Sequence, residues 1–280
     1  MRLGGCLAKQ YSDVESWLRD VKAIGYKAVT FPLPPGSDRS EIGEYVAAMK
    51  ENDISNAEVG AWSNPLSNDA EERLAAMRKN VAALELAEET GARCCVNIAG
   101  SRGTVWDGPH PLNISEETFG MIVKNTREII DAVKPVKTKY TLETMPWIFP
   151  DGPESYLRLM DAMERDAFGV HMDICNTVNS PERYFKITEF IDKNFDLLGG
   201  KALSIHLKDI RLSQKLTVHL DEALPGEGNM DFARIFKRAA GLAPDTTLII
   251  EHLHSNEDYA KAYAHLRGVI KSAGLEEYLV

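Results

Sequence analysis

Four residues, Glu143, Asp173, His206 and Glu251, each end a short apolar, β-prone run in the second half of the chain. Three carboxylates and an imidazole suit a divalent cation, because hard oxygen donors and one borderline nitrogen match Mn²⁺, Mg²⁺ and related ions. Manganese is the expected occupant of a single site, with magnesium, cobalt and zinc compatible. The four lie 30, 33 and 45 residues apart in succession. The first two intervals fit one strand plus one helix, and the third fits such a unit enlarged by a loop. Taken singly, a strand-terminal carboxylate is more often a helix cap or a solvated charge, and a lone histidine a hydrogen-bonded core residue. Four coincidences at matching strand ends favour a shared cation.

The elements that would position them follow from periodicity. Apolar runs at 2–7, 27–33, 57–62, 93–99, 140–144, 168–173, 202–207 and 247–253 read as strands. Between them, residues 14–24, 41–52, 69–90, 116–133, 154–165, 181–195, 231–241 and 256–273 repeat apolar side chains at helical steps. Asn68, Ser115 and Ser180 are expected N-caps, their side-chain oxygens accepting free amides of the first turn. Eight βα units predict a (β/α)8 TIM barrel, and a 1–280 single domain fits a fold of about 250 residues. Side chains two apart on a strand share a face. Gly169, His171 and Asp173, then Ser204, His206 and Lys208, then Thr247, Ile249 and Glu251 should therefore point into the barrel. The connection 208–230 is long for a compact domain, and such loops are usually functional. The irregular stretches 100–112 and 146–153 also follow strands, which places them on the active face.

Composition narrows the class. A net charge of -10 opposes a nucleic-acid partner. No run approaches the roughly 18 apolar residues of a membrane span. The opening Met1–Leu7 is too short and too weakly basic for a secretory segment, so a cytoplasmic location is expected. Cys6, Cys94, Cys95 and Cys175 form no CxxC pair and read as reduced thiols. Cys175 lies near a candidate ligand, but a small buried packing residue is the favoured reading.

Several segments together resemble the xylose-isomerase-like TIM barrels, which include sugar phosphate isomerases and epimerases, ketose 3-epimerases and inosose dehydratases. They are Thr141-Leu142-Glu143, Gly169-Val170-His171-Met172-Asp173, Ile205-His206-Leu207-Lys208-Asp209, Pro225-Gly226-Glu227-Gly228 and Ile249-Ile250-Glu251. The resemblance covers nearly the whole chain. It implies that Glu143, Asp173, His206 and Glu251 hold the metal and that Glu143 and Glu251 are also the catalytic acid/base pair. It departs from the ketose 3-epimerases at Asn176, where they carry a histidine; Asn cannot titrate near neutrality, so a proton relay there is lost. His206-Leu207-Lys208-Asp209 looks more like the inosose dehydratase branch.

The expected function is isomerisation or epimerisation of a monosaccharide, sugar acid or sugar phosphate through an enediolate, with the glutamates moving the protons. If a hydroxyl beyond the carbanion can depart, the same site is a dehydratase or lyase acting on a keto-sugar or inosose. A non-catalytic carbohydrate-binding barrel is a third reading; a DNA-repair endonuclease would need more histidines and a basic stripe. The partner is thus a small-molecule carbohydrate, with a homo-oligomer compatible. Candidate substrate contacts are His171, Asn176, Lys208, Glu227, Asn97 and Trp106. His171 is equally a packed core histidine, and Lys208 equally an ion pair with Asp209 or another carboxylate. Glu227 would hydrogen-bond a ligand or order its loop. Trp62 is a stacking wall or, preferably, core packing. Trp106, His110 and Trp147 would exclude water or select substrate, and His252 and His254 read as exposed loop residues.

Overall fold

The computed structural model describes residues 1–280. Eight parallel strands form the barrel: β1 (Arg2–Gly5), β2 (Ala28–Thr30), β3 (Ser55–Gly60), β4 (Cys94–Asn97), β5 (Lys139–Leu142), β6 (Val170–Asp173), β7 (Ala202–Leu207) and β10 (Thr247–Ile250). They lie in the order β5-β4-β3-β2-β1-β10-β7-β6, and a parallel bridge between Tyr140 and Phe168 joins β5 to β6. Glu143, Asp173, His206 and Glu251 thus come from four consecutive strands of the ring.

Helices α1 (Val14–Ile24), α2 (Arg39–Glu51), α3 (Ala70–Thr90), α4 (Glu116–Val133), α5 (Pro153–Met163), α6 (Pro181–Phe185), α7 (Ile187–Leu198), α8 (Phe232–Ala239) and α9 (Asn256–Ser272) cover the outside. Their apolar faces meet the outward side chains of the strands. Phe236, Leu248, Ile205 and Leu266 are buried there, each stabilising the fold by about 2 kcal/mol relative to exposure. Small and branched side chains fill the lower interior, where Ala28, Ala57 and Ile249 pack together.

Three local expectations change. Asp69 rather than Asn68 caps α3, accepting from the Glu72 amide at 2.8 Å, while the Asn68 amide group donates to the Arg102 carbonyl. Ser115 and Ser180 do cap α4 and α6. The helix expected at 181–195 is two helices, because Lys186 leaves the helical region (φ -107°, ψ 39°) and turns the chain between α6 and α7. The connection after β7 is not irregular throughout: β8 (Asp209–Leu212) and β9 (Leu220–Ala223) pair antiparallel as a hairpin over the mouth.

The foot of that hairpin is fixed by one carboxylate. Asp209 Oδ1 accepts from the amides of Ile210 and Met230, and Oδ2 from those of Gly226 and Gly228, all at 2.8–2.9 Å. Such a convergence needs glycine. Gly226 sits at φ +103°, and a Cβ on Gly228 would stand 2.2 Å from Asp209 Oδ1.

Candidate metal centre and active-site cavity

Glu143 and Glu251 each follow the last residue of a strand, and Asp173 is itself the last residue of β6. Thr144 locks two of these ends together: its hydroxyl donates to the Asp173 carbonyl at 2.7 Å and accepts the Asp173 amide at 3.1 Å. Asp173 Oδ1 accepts the Asn176 amide, which leaves Oδ2 aimed at the barrel axis. One donor atom from each of Glu143, Asp173, His206 and Glu251 lies within 4.8 Å of all the others. His206 Nδ1 is 2.9 Å from Glu251 Oε2, 3.3 Å from Glu143 Oε1 and 3.7 Å from Asp173 Oδ2.

Lys208 shares this centre. Its Nζ is 2.9 Å from Asp173 Oδ2, 3.0 Å from Glu251 Oε2 and 3.3 Å from Glu143 Oε1, and it pairs with these rather than with Asp209. The first two contacts are close in distance but not in direction, for both Asp173 Oδ2 and Glu251 Oε2 are buried without a hydrogen-bond donor. Burial alone would raise these acids. The Lys208 and His206 charges overcome it, holding Asp173 well below the usual carboxylate range and Glu251 at about 2. Burial likewise opposes charge on His206 and Lys208, yet the surrounding carboxylates push both well above their ordinary values. Undirected, buried anionic oxygens converging beside an imidazole nitrogen fit a divalent ion.

Above the centre lies a cavity of about 900 Å³, at the upper end of the range usual for small-molecule sites. Glu143, Glu251 and Asn176 form its floor, whereas Asp173 and His206 lie beneath the lining. The walls are apolar and aromatic: Trp62 from the end of β3, Trp106 and Trp147 from the two expected loops, and Val218 and Leu220 from the hairpin. Trp147 Nε1 donates to the Asp107 carbonyl at 2.8 Å, which ties those loops together.

Not all candidates converge here. Asn176 does: its Nδ2 donates to Glu143 Oε1 at 2.9 Å and to the Thr144 carbonyl at 3.1 Å. Lys208 sits among the carboxylates but below the lining. Asn97 is buried away from the cavity, exchanging hydrogen bonds with the Ser63 backbone. His171 is sealed under the floor, Glu227 is exposed outside the cavity, and His110 caps a short helical turn. Trp62, expected as core, is a wall. His252 is exposed, as expected, but it also lines the cavity and bonds Glu222 at 3.0 Å from a left-handed backbone (φ +60°) uncommon outside glycine. The Glu222 bond, despite burial, raises its pKa. His254 is exposed, as expected.

Two acidic residues were not anticipated. Glu222 reaches the cavity from β9. Glu58, on β3, is buried beneath His206 and accepts from its Nε2 at 3.1 Å. A carboxyl inside the otherwise apolar run 57–62 was its only sequence signal.

Comparison with solved structures finds the same architecture at low sequence identity. A 3-keto-D-glucoside 4-epimerase from E. coli shares 18% identity, with 96% of this chain and 99% of that chain covered and a TM-score of 0.69. A D-psicose 3-epimerase from Clostridium cellulolyticum H10, solved with D-tagatose, shares 16%, with 100% and 99% covered and a TM-score of 0.67. A xylose isomerase-like TIM barrel protein from Mycobacterium smegmatis, in complex with magnesium, shares 15%, with 98% and 97% covered and a TM-score of 0.65. At these identities the likeness is one of fold. Sequence comparison with curated proteins finds no match. No helix is long and apolar enough to cross a membrane. Residues 18–269 match the family model of the xylose isomerase-like TIM barrels, and the chain belongs to that family.

Proposed function

We propose that the protein is a divalent-metal-dependent isomerase or epimerase of a monosaccharide, sugar acid or sugar phosphate. The observation that carries the reading is the division within the donor arc: Glu143 and Glu251, its two ends, face the cavity, while Asp173 and His206 lie below. The similarity to structures named as sugar epimerases supports it. Glu143, Asp173, His206 and Glu251 would hold the ion, with manganese expected. When bound, the ion supplies a positive charge that polarises a substrate carbonyl and makes the adjacent C–H more acidic.

The chain's own groups then move the proton. Glu251, ionised at neutral pH, is positioned to accept it as base. Glu143, oriented by the Asn176 amide, stands at the other end of the arc and in its protonated form is placed to give a proton from a different direction, ending ionised as Glu251 ends protonated. Asn176 has no proton to relay, so the two glutamates carry the transfer between them. The tryptophan walls offer flat apolar faces to a sugar ring and exclude water from the carbanion.

The deciding experiment incubates manganese-loaded protein with ketoses, sugar acids and inososes in D₂O. Deuterium uptake by NMR without loss of water by mass spectrometry is expected. A product lighter by one water would replace the assignment with a dehydratase. Retention of a sugar without exchange or turnover would reduce the protein to a binding barrel.

A further inference from the structure

Beneath the proposed metal centre, Glu58 is a carboxylate with every contact supplied by a donor. Its Oε1 accepts from Thr30 Oγ1 at 3.2 Å and His206 Nε2 at 3.1 Å; its Oε2 accepts from His171 Nε2 and Ser204 Oγ, both at 3.2 Å. Glu58, His171, Ser204 and His206 are all buried, so no water competes for these bonds. Two of the partners come from β7 and one from β6, far away in sequence. An ionised carboxylate has only lone pairs to offer. Each ring nitrogen facing it must therefore carry a proton.

That constraint decides the chemistry of the opposite edge of the His206 ring. To bind an ion the imidazole must shed one proton; if Glu58 holds the other on Nε2, the freed lone pair is on Nδ1, the atom directed at Glu143, Asp173 and Glu251. The His171 ring stands edge-on to His206, with centroids 4.1 Å apart and planes at 83°, which blocks rotation. We infer that Glu58 is a positioning residue that fixes His206 as the Nε2–H tautomer and so presents Nδ1 as the metal-binding nitrogen. The inference rests on the metal reading proposed above. It assigns a role to Glu58 that does not involve touching substrate, since Glu58 lies below the cavity lining.

The test has two independent readouts. In ¹⁵N-histidine-labelled wild-type protein, long-range ¹H–¹⁵N spectra recorded before and after Zn²⁺ addition should show that His206 keeps its Nε2 proton and gives up only the one on Nδ1. Titration with MnCl₂, following free Mn²⁺ by electron paramagnetic resonance, should show Glu58→Gln binding about 10- to 100-fold more weakly than wild type. The Gln amide turns a donor toward one of the two rings, which favours the wrong tautomer. Glu58→Asp, which keeps the acceptor, should recover part of the loss. Far-UV circular dichroism and the melting temperature report whether each variant is folded. If Glu58→Gln does not fold, the wild-type ring spectrum decides alone.

An unprotonated Nε2 in wild type, or wild-type Mn²⁺ affinity in folded Glu58→Gln, would overturn the inference. A wild-type protein that takes up no Mn²⁺ would instead remove the metal reading.

Discussion

The barrel interior contains two ionisable clusters that share one ring, and they are built on opposite plans. Above His206, Asp173 Oδ2 and Glu251 Oε2 are buried with no directed donor, and the charges of Lys208 and His206 compensate them. Below it, Glu58 has four donors on two oxygens. Burial penalises both carboxylate sets, yet the His206 and His171 contacts hold Glu58 well below its ordinary range. A buried acceptor without a donor costs about 1–3 kcal/mol, a cost that Asp173 Oδ2 and Glu251 Oε2 carry, whereas the Glu58 oxygens are satisfied within the chain. The upper cluster is shaped for something that arrives, and the lower for something that stays.

Replacing the shared ring should break the distinction most severely. His206→Ala removes a proposed ligand above and one of the four donors to Glu58 below, so Mn²⁺ binding by calorimetry should fall at least about 100-fold and the melting temperature should drop as well, since breaking a buried charge pair costs about 3–5 kcal/mol. Next in size, Glu251→Gln should lower the rate of deuterium exchange by about 10²- to 10⁴-fold, the range for loss of a general base. An unchanged exchange rate would show that Glu251 is not the base.

Acidity and salt-bridge geometry sharpen the same contrast. His206 has its pKa raised from 6.5 in the metal-free fold. A raised value means stability present in full below pH 6.5 and lost as the pH climbs through the folded value. Glu251, lowered from 4.5 to about 2, contributes above pH 4.5 and loses its contribution as the pH falls toward 2. The melting temperature of chelator-treated protein should therefore be highest between pH 4.5 and 6.5 and decline on the alkaline side, a decline that added Mn²⁺ should flatten. Calorimetric scans across pH 3–9 check this; a rise above pH 6.5 would contradict it. Lys208→Met should strengthen Mn²⁺ binding by about tenfold, roughly 1.4 kcal/mol, because the ammonium competes for the same oxygens. Weaker binding would mean that Lys208 supports the site. The smallest change belongs to Glu227→Ala, which should alter stability and exchange by less than about 0.5 kcal/mol, as for other exposed residues.

The upper cluster was legible from the sequence because each member lies within one residue of a strand's end and points inward by simple alternation. Glu143, Asp173, His206 and Glu251 needed only the period of two and the length of a βα unit. Glu58 was not legible in that way. Its meaning lies in His171 and His206, 113 and 148 residues further on, and alternation on β3 alone leaves it an unexplained acid. His171 was placed on the right face, but which neighbour it meets depends on the depth of β6 relative to β3. The hairpin went unseen because four-residue strands 209–212 and 220–223 are too short for periodicity to separate from a polar loop. Lys186 interrupts a helix whose apolar repeat continues across the break, so the kink leaves no trace in the pattern.

Asp209 gathers four amides from the base of the hairpin, whereas Leu216 near its tip is fully exposed. The flap is hinged to the barrel by an anchor that makes no use of the tip's side chains. On the proposed function, residues such as Val218 and Leu220 can then be exchanged to admit a longer, shorter or more charged sugar, while the proposed metal-holding arc keeps its shape. Selection for a new substrate and retention of the chemistry would act on separate stretches of chain.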